Sequence, residues 1–235
     1  MARDGPASRA VSRLDAAVAR AVAGEEEPIL AFSGGLGSLV VAALARKRCD
    51  LRFVVVGLRG SADVQAATVA HDFLDYRVSV LRPTRLEALC AARAIAAADP
   101  RLPLADVLAL VPLVLVEAHH PSCAVLSGFG LTARDVPLRR ALATRRRSCP
   151  GLGLSIAASP RTPLLRIAEA IGLPESFILA APRTPIEGSG IGPLLRAMAH
   201  AHKASLGRLI SDDKLVSDYH KRPARPDVFK SLHLD

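Results

Sequence analysis

The sequence predicts an α/β protein with a doubly wound parallel sheet and helices on both faces. Short apolar segments alternate with longer segments of helical periodicity, which is the pattern of such folds. The first apolar segment, at 29–32, runs directly into a glycine-rich loop at 33–38, and a new helical segment follows at once. Strand, tight glycine loop and helix in this order are typical of nucleotide-binding sheets.

The predicted elements of the amino-terminal half follow one another closely. In the opening helix, at 7–23, apolar residues recur every three or four positions, as one buried helix face requires. Val-rich and Leu-rich segments predict strands at 29–32, 51–57, 76–81 and 123–126. Further helices are predicted at 37–47, 62–74, 84–97 and 107–119, and Pro112 should lie near the start of the last one or kink it.

The pattern changes after residue 131. Arginines become dense, Gly and Pro break the chain at 150–153, and two helices are predicted at 163–172 and 191–210. We therefore expect one nucleotide-binding domain at 1–220, with a helical portion at about 131–210 and a C-terminal tail at 221–235.

Composition narrows the class of protein. Hydrophobic residues make up 50% of the 235 residues, enough for a large core, although aromatic residues make up only 3%. No segment has the roughly 18 uninterrupted apolar residues of a membrane span, and charges interrupt the amino terminus, so a cytoplasmic protein without a membrane partner is expected. The net charge of +9 favours anionic partners such as nucleotides, phosphates or RNA.

Three polar or glycine-rich segments follow predicted strands, at 33–38, 57–63 and 127–130. The carboxyl ends of parallel strands meet at one edge of a sheet, where ligands of such folds bind. We therefore expect the three segments to lie together and to bind an anion or nucleotide. Ser61 and Asp63 stand at the start of the helix predicted at 62–74, and Asp63 is expected to cap its amino terminus.

These segments resemble the synthetase domain of the asparagine synthetase family, and more narrowly its compact archaeal-type relatives without a glutaminase domain. The loop at 33–38 resembles the PP-loop of ATP pyrophosphatases, Ser-Gly-Gly-Xaa-Asp-Ser. The segment 60–63 resembles the family's Gly-Ser-Xaa-Asp turn, and 126–130 resembles its Leu-Ser-Gly-Glu-Gly motif. Weaker similarity continues to 182–183 and to the Gly-Ser-Gly of 188–190.

The resemblance implies a PP-loop nucleotide-binding fold, an adenine-nucleotide cofactor (ATP or AMP) and formation of an acyl-adenylate with release of pyrophosphate. Phosphate contacts would come from Ser33, Gly34, Gly35 and Ser38. Adenosine contacts would come from Leu30, Val56, Gly57, Ser127 and Gly128.

The sequence departs from the family at positions that carry the chemistry. Gly37 stands where the PP-loop has Asp, which argues against a magnesium site in this loop. Phe129 replaces a Glu, and Arg183 replaces a Lys. The first hypothesis is therefore an adenine-nucleotide-binding relative whose adenylation is weakened, lost or rerouted.

Two alternatives remain. In an active ATP-dependent, ammonia-using amide ligase, Asp63 or Asp135 would have to hold the metal, and Asp63, Asp135 and Arg183 are the catalytic candidates. In an RNA-associated protein of a tRNA-modifying assembly, RNA would bind the arginines Arg139, Arg140, Arg145, Arg146 and Arg147. A homo-oligomer and a complex with a partner subunit are both compatible with the sequence.

Overall fold

The computed structural model describes residues 6–132, 136–143, 148–150, 161–180 and 188–212. Its centre is a four-stranded sheet of β1 (Ile29–Ala31), β2 (Arg52–Val56), β3 (Val78–Leu81) and β4 (Val125–Ser127). All the strand pairs are parallel, and the order across the sheet is β3-β2-β1-β4. The predicted α/β fold with a parallel sheet is confirmed.

Helices connect and follow the strands. Those of the amino-terminal half are α1 (Pro6–Val22), α2 (Leu36–Ala45), α3 (Ala62–Leu74), α4 (Arg85–Ala98) and α5 (Leu104–His119). After β4 come the short α6 (Phe129–Thr132), then α7 (Val136–Ala143), α8 (Arg161–Ala170), α9 (Glu175–Ala180), α10 (Ile191–Ala201) and α11 (Leu206–Ser211).

The sheet buries both of its faces, because alternate residues of each strand enter different cores. Ile29 and Val54 belong to one core, which α4, α5, α10 and α11 cover. Leu30 and Phe53 belong to the other, which α1, α2 and α8 cover. Near-continuous apolar strands are what a sheet covered on both faces requires.

The few aromatic side chains are concentrated in the second core. Phe32, Phe53 and Tyr76 contact one another, with a stacked pair of Phe53 and Tyr76 at 4.3 Å between ring centroids. Arg46 lies over the Tyr76 ring, 4.9 Å from its centroid. Burial raises the pKa of Tyr76, and the positive charge of Arg46 partly opposes this effect.

Two predicted helices differ from the structure by more than two residues or by a break. The predicted helix at 191–210 is two helices, because Lys203 adopts a left-handed conformation (φ 52°) and the Ser205 hydroxyl caps α11 by accepting a hydrogen bond from the Arg208 amide. The helix predicted at 107–119 begins three residues earlier, at Leu104, so Pro112 lies in its interior. The Pro112 ring removes a main-chain hydrogen bond there without ending the helix.

The helical character of the chain after β4 is confirmed for its described segments. The predicted tail at 221–235 lies outside the described residues. Within the described part of the chain, no helix is long and apolar enough to cross a membrane.

Candidate functional site

The three segments selected from the sequence meet at one edge of the sheet. Ala31 is in register with Val54 of β2 on one side and with Ser127 of β4 on the other. In the sheet, β2 and β3 lie on one side of β1, and β4 lies on its other side. The sheet order therefore reverses at β1, and the crevice beyond β1 and β4 is where open parallel sheets bind ligands.

The loop after β1 is held by its own serines. The Ser33 hydroxyl accepts a hydrogen bond from the Gly35 amide at 3.3 Å, and the buried Ser38 hydroxyl donates one to the Gly35 carbonyl at 2.7 Å. Both predicted phosphate-binding hydroxyls thus shape the loop. Gly35 is the N-cap of α2 and supplies no side-chain acceptor, so the first-turn amides of α2 are the donors that could meet an anion.

Glycines in this loop permit close backbone contacts. Gly34 has a φ of 68°, and a Cβ there would overlap the Cβ of Ala66 on α3. A Cβ on Gly37 would lie 2.8 Å from the Gly128 carbonyl oxygen, and one on Gly128 would overlap the main chain at Gly37 and Ser38. The loops after β1 and β4 therefore touch through two facing glycines.

This contact explains the departure from the PP-loop pattern in physical terms. An Asp at position 37 would bring its Cβ too close to the Gly128 carbonyl unless one of the two loops moved. The missing carboxylate is thus accompanied by a backbone contact that leaves no room for any side chain. Sequence reasoning identified the substitution but not this contact.

The end of β4 is packed from the side by residues 148–150. The Ser127 amide donates a hydrogen bond to the Ser148 carbonyl at 2.7 Å. The Ser127 hydroxyl lies 3.3 Å from the Cys149 sulfur and accepts a hydrogen bond from the Phe129 amide at 3.4 Å. Both Ser127 and Cys149 are 1% exposed. Cys149 is a site neighbour that no motif in the sequence indicated.

The end of β2 contacts the late Gly-Ser-Gly segment. The Leu58 amide donates to the Ser189 carbonyl at 3.0 Å. A Cβ on Gly57 would lie 2.5 Å from the Ser61 hydroxyl and 3.5 Å from the Ser189 carbonyl oxygen. Residues 188–190 therefore join the strand-end loops, although only the family resemblance connected them to the site.

Asp63 lies beside this contact. It is 4% exposed and is the only acidic or basic side chain among the buried residues of the described chain. Burial raises the pKa of its carboxyl to about 7. The expected capping role is wrong: Ser61 is the N-cap of α3, without a side-chain hydrogen bond, and Asp63 lies in the first turn.

The remaining predicted site residues divide into three groups. The side chains of Leu30 and Val56 are buried in the two cores. A nucleotide could therefore contact these residues only through their backbone atoms, and this contact stays a prediction. Arg139 and Arg140 lie on α7, where Arg140 pairs with Asp99 at 2.8 Å. Asp135, Arg145, Arg146, Arg147 and Arg183 lie outside the described residues.

The described residues do not fit a magnesium site of the usual kind. In the described ranges no group of three His, Cys, Asp or Glu side chains is placed to hold a metal ion. Asp63 is a single carboxyl packed against the Gly188 backbone, whereas magnesium requires an octahedral set of oxygens. We therefore assign no step to a metal.

Comparison with known proteins identifies solved structures but no family. No family model and no curated protein matches the chain. An NAD+ synthetase from Burkholderia pseudomallei aligns with a TM-score of 0.47 at 18% identity, covering 92% of this chain and 87% of that one. An NH3-dependent NAD synthetase from Campylobacter jejuni gives 0.46 at 14% identity, covering 93% of each chain.

An NMN synthetase from Francisella tularensis aligns with a TM-score of 0.47 at 12% identity, covering 95% of this chain and 100% of that one. All three TM-scores are below 0.5, so the fold assignment rests on the strand order and register of this chain. The relation to asparagine synthetases stays a prediction from the motifs.

Proposed function

We propose that this protein binds an adenine nucleotide, ATP or AMP, at the carboxyl edge of the sheet. The observation that carries the proposal is the position of the amino terminus of α2. This helix begins after the N-cap Gly35, in the crevice where the sheet order reverses. Backbone amides and the helix dipole favour an anion there. No acid lies in the first turn of α2 to repel it.

The neighbouring loops support a nucleotide rather than a free phosphate. Gly57 and Gly128 directly follow β2 and β4, which lie on either side of β1, and these are positions where the motif resemblance implies adenosine contacts. The order of the three motifs along the chain matches that of asparagine synthetases, which supports a distant relation to that family.

Calorimetric titration with ATP, ADP and AMP tests the proposal. Gly35 has φ −67° and ψ 154°, which a valine tolerates, so Gly35→Val adds bulk at the phosphate position without backbone strain. We expect this variant to lose binding while keeping its unfolding midpoint. Gly207→Val is the matched control, because nothing lies within 4 Å of a Cβ there. Absence of binding by the natural protein at millimolar nucleotide would contradict the proposal.

We further propose that adenylation is weakened, lost or rerouted. The carboxylate of the PP-loop is absent at Gly37, and Phe129 stands where a second acid is expected. Each lost interaction with the transition state that is worth about 1.4 kcal/mol slows the reaction tenfold. Several such losses would leave little turnover.

A pyrophosphate-release assay with ATP, aspartate and ammonia tests this second proposal. We expect no release above background from the natural protein. Gly37→Asp should not restore it, because the new side chain meets the Gly128 carbonyl and Phe129 is unchanged. Robust formation of asparagine by the natural protein would favour the alternative of an active amide ligase.

A further inference from the structure

Two polar side chains at the start of α3, Ser61 and Asp63, have no hydrogen-bond partner among the described residues. The Ser61 hydroxyl has no hydrogen-bond partner, alone among the fully buried side-chain oxygen and nitrogen atoms of the described residues. In the same part of the chain, no residue donates a hydrogen bond to the Asp63 carboxyl, whose shifted pKa has burial as its only cause. Buried groups of this kind destabilise the state that buries them.

Residues 188–190 pack over the Asp63 carboxyl. The Gly188 backbone packs so closely on the Asp63 carboxyl that a Cβ on Gly188 would overlap it. The segment is tied to the β2 loop by the hydrogen bond from the Leu58 amide to the Ser189 carbonyl. Directly after it, Ile191 and Leu195 anchor α10 in the first core with 0% exposure. The segment is thus tied to the β2 loop through a main-chain hydrogen bond, whereas α10 is anchored by buried apolar side chains.

The segment also has the backbone to move independently of α10. Gly190, the N-cap of α10, has a φ of 77°, a conformation that glycine adopts without strain. With Gly188, it places a glycine on each side of Ser189. A hinge of this composition lets 188–190 leave the β2 loop while α10 stays in place.

We propose that residues 188–190 form a latch that closes over Asp63 and opens when the Asp63 carboxyl loses its proton. In the closed state the carboxyl is shielded from water, so the neutral form is favoured. In the open state it is hydrated and ionises as an ordinary aspartate. Opening exposes the end of β2, with Gly57 and Ser61. The latch is a property of the fold and does not depend on nucleotide binding.

Among the described residues, few other charges face this carboxyl. Arg59 is the only charged residue of the loop between β2 and α3, and its side chain is exposed. Residues 33–38 and 188–190 contain no titratable group. On α3 the next ionisable residues are His71 and Asp72, two turns or more away, and on α10 the first is the exposed Arg196. Within the described part of the chain, burial is therefore the influence that raises the pKa of Asp63.

The pH dependence follows from the two ionisation states. Burial raises the pKa of the closed carboxyl to about 7, whereas an exposed aspartate titrates at roughly 3.9. Between these values the open state has lost a proton that the closed state retains, so the opening constant rises about tenfold per pH unit. It levels off above pH 7, at roughly several hundred times its value at pH 4.

Residue-resolved amide exchange between pH 4.5 and 8.5, corrected for intrinsic rates, tests the latch. The Leu58 amide reports opening, and the Phe32 amide, bonded to Val54 in the sheet, reports global unfolding. We expect Leu58 to be less protected than Phe32, with protection falling to a plateau above pH 7. Equal protection of the two amides at every pH, or a Leu58 protection that does not vary with pH, would overturn the proposal.

Three variants complete the test. In Asp63→Asn the neutral amide cannot ionise, so Leu58 protection should not depend on pH. Asp72→Asn, an exposed acid on the same helix, should behave like the natural protein. Gly188→Ala should remove Leu58 protection at every pH and keep that of Phe32. A pH profile that is the same in Asp63→Asn as in the natural protein, or full Leu58 protection in Gly188→Ala, would contradict the latch.

Discussion

Individual glycines decide how closely the strand-end loops approach. Gly37 and Gly128 face each other from the loops after β1 and β4, and neither position has room for a side chain. Sequence reasoning assigned Gly37 a missing carboxylate and Gly128 a ligand contact, because a motif lists residues without their spatial neighbours. The contact between them is a long-range feature that only the folded chain contains.

The contact between Gly37 and Gly128 predicts that a Gly-to-Ala change destabilises the protein at Gly128 but not at Gly207. Gly128→Ala places its Cβ against main-chain atoms of Gly37 and Ser38, which cannot rotate away. We expect a loss of about 1–3 kcal/mol in the free energy of unfolding, measured with urea. Gly207→Ala meets nothing within 4 Å and lies in a helix, so it should be neutral or stabilising. Equal stabilities of the two variants would show that the loops are not in contact.

At the scale of helices and strands, most element positions follow from apolar periodicity. The wrong predictions concern helix ends and caps, which depend on individual polar residues and backbone angles. The periodic apolar face at 191–210 predicted one helix where the structure has two. The left-handed turn at Lys203 and the Ser205 cap separate the helices without changing the spacing of the apolar residues. The cap of α3 was misassigned since Ser61 and Asp63 are both good capping residues. The structure instead buries both side chains without a cap bond.

The helix caps provide a prediction at this scale. Thr84 and Glu87 form a reciprocal capping box at the start of α4, with Thr84 accepting from the Glu87 amide at 3.2 Å. Thr84→Ala should therefore cost about 1 kcal/mol of unfolding free energy. Ser61→Ala removes a buried hydroxyl that has no partner, so we expect it to be neutral or stabilising. A Ser61→Ala variant that loses as much stability as Thr84→Ala would contradict this account of the α3 cap.

For the whole molecule, the order of the sheet places the site. β1 lies between β2 and β4, so the loops after these three strands meet at one edge, and cores on both faces hold them in register. The alternation of apolar and helical segments was sufficient to predict this edge. Which side chains are exposed there was not predictable, because Ser33, Ser38 and Ser127 satisfy their hydroxyls within the protein.

The central claim is that adenine nucleotide binds at this edge, and an amide-exchange footprint with and without saturating ATP tests it most directly. We predict slower exchange at the first-turn amides of α2, at 36–38, and in the loops at 57–61 and 127–130, with no change in α1 or α8. Protection confined to other surfaces, or an unchanged exchange pattern at millimolar ATP, would contradict the account.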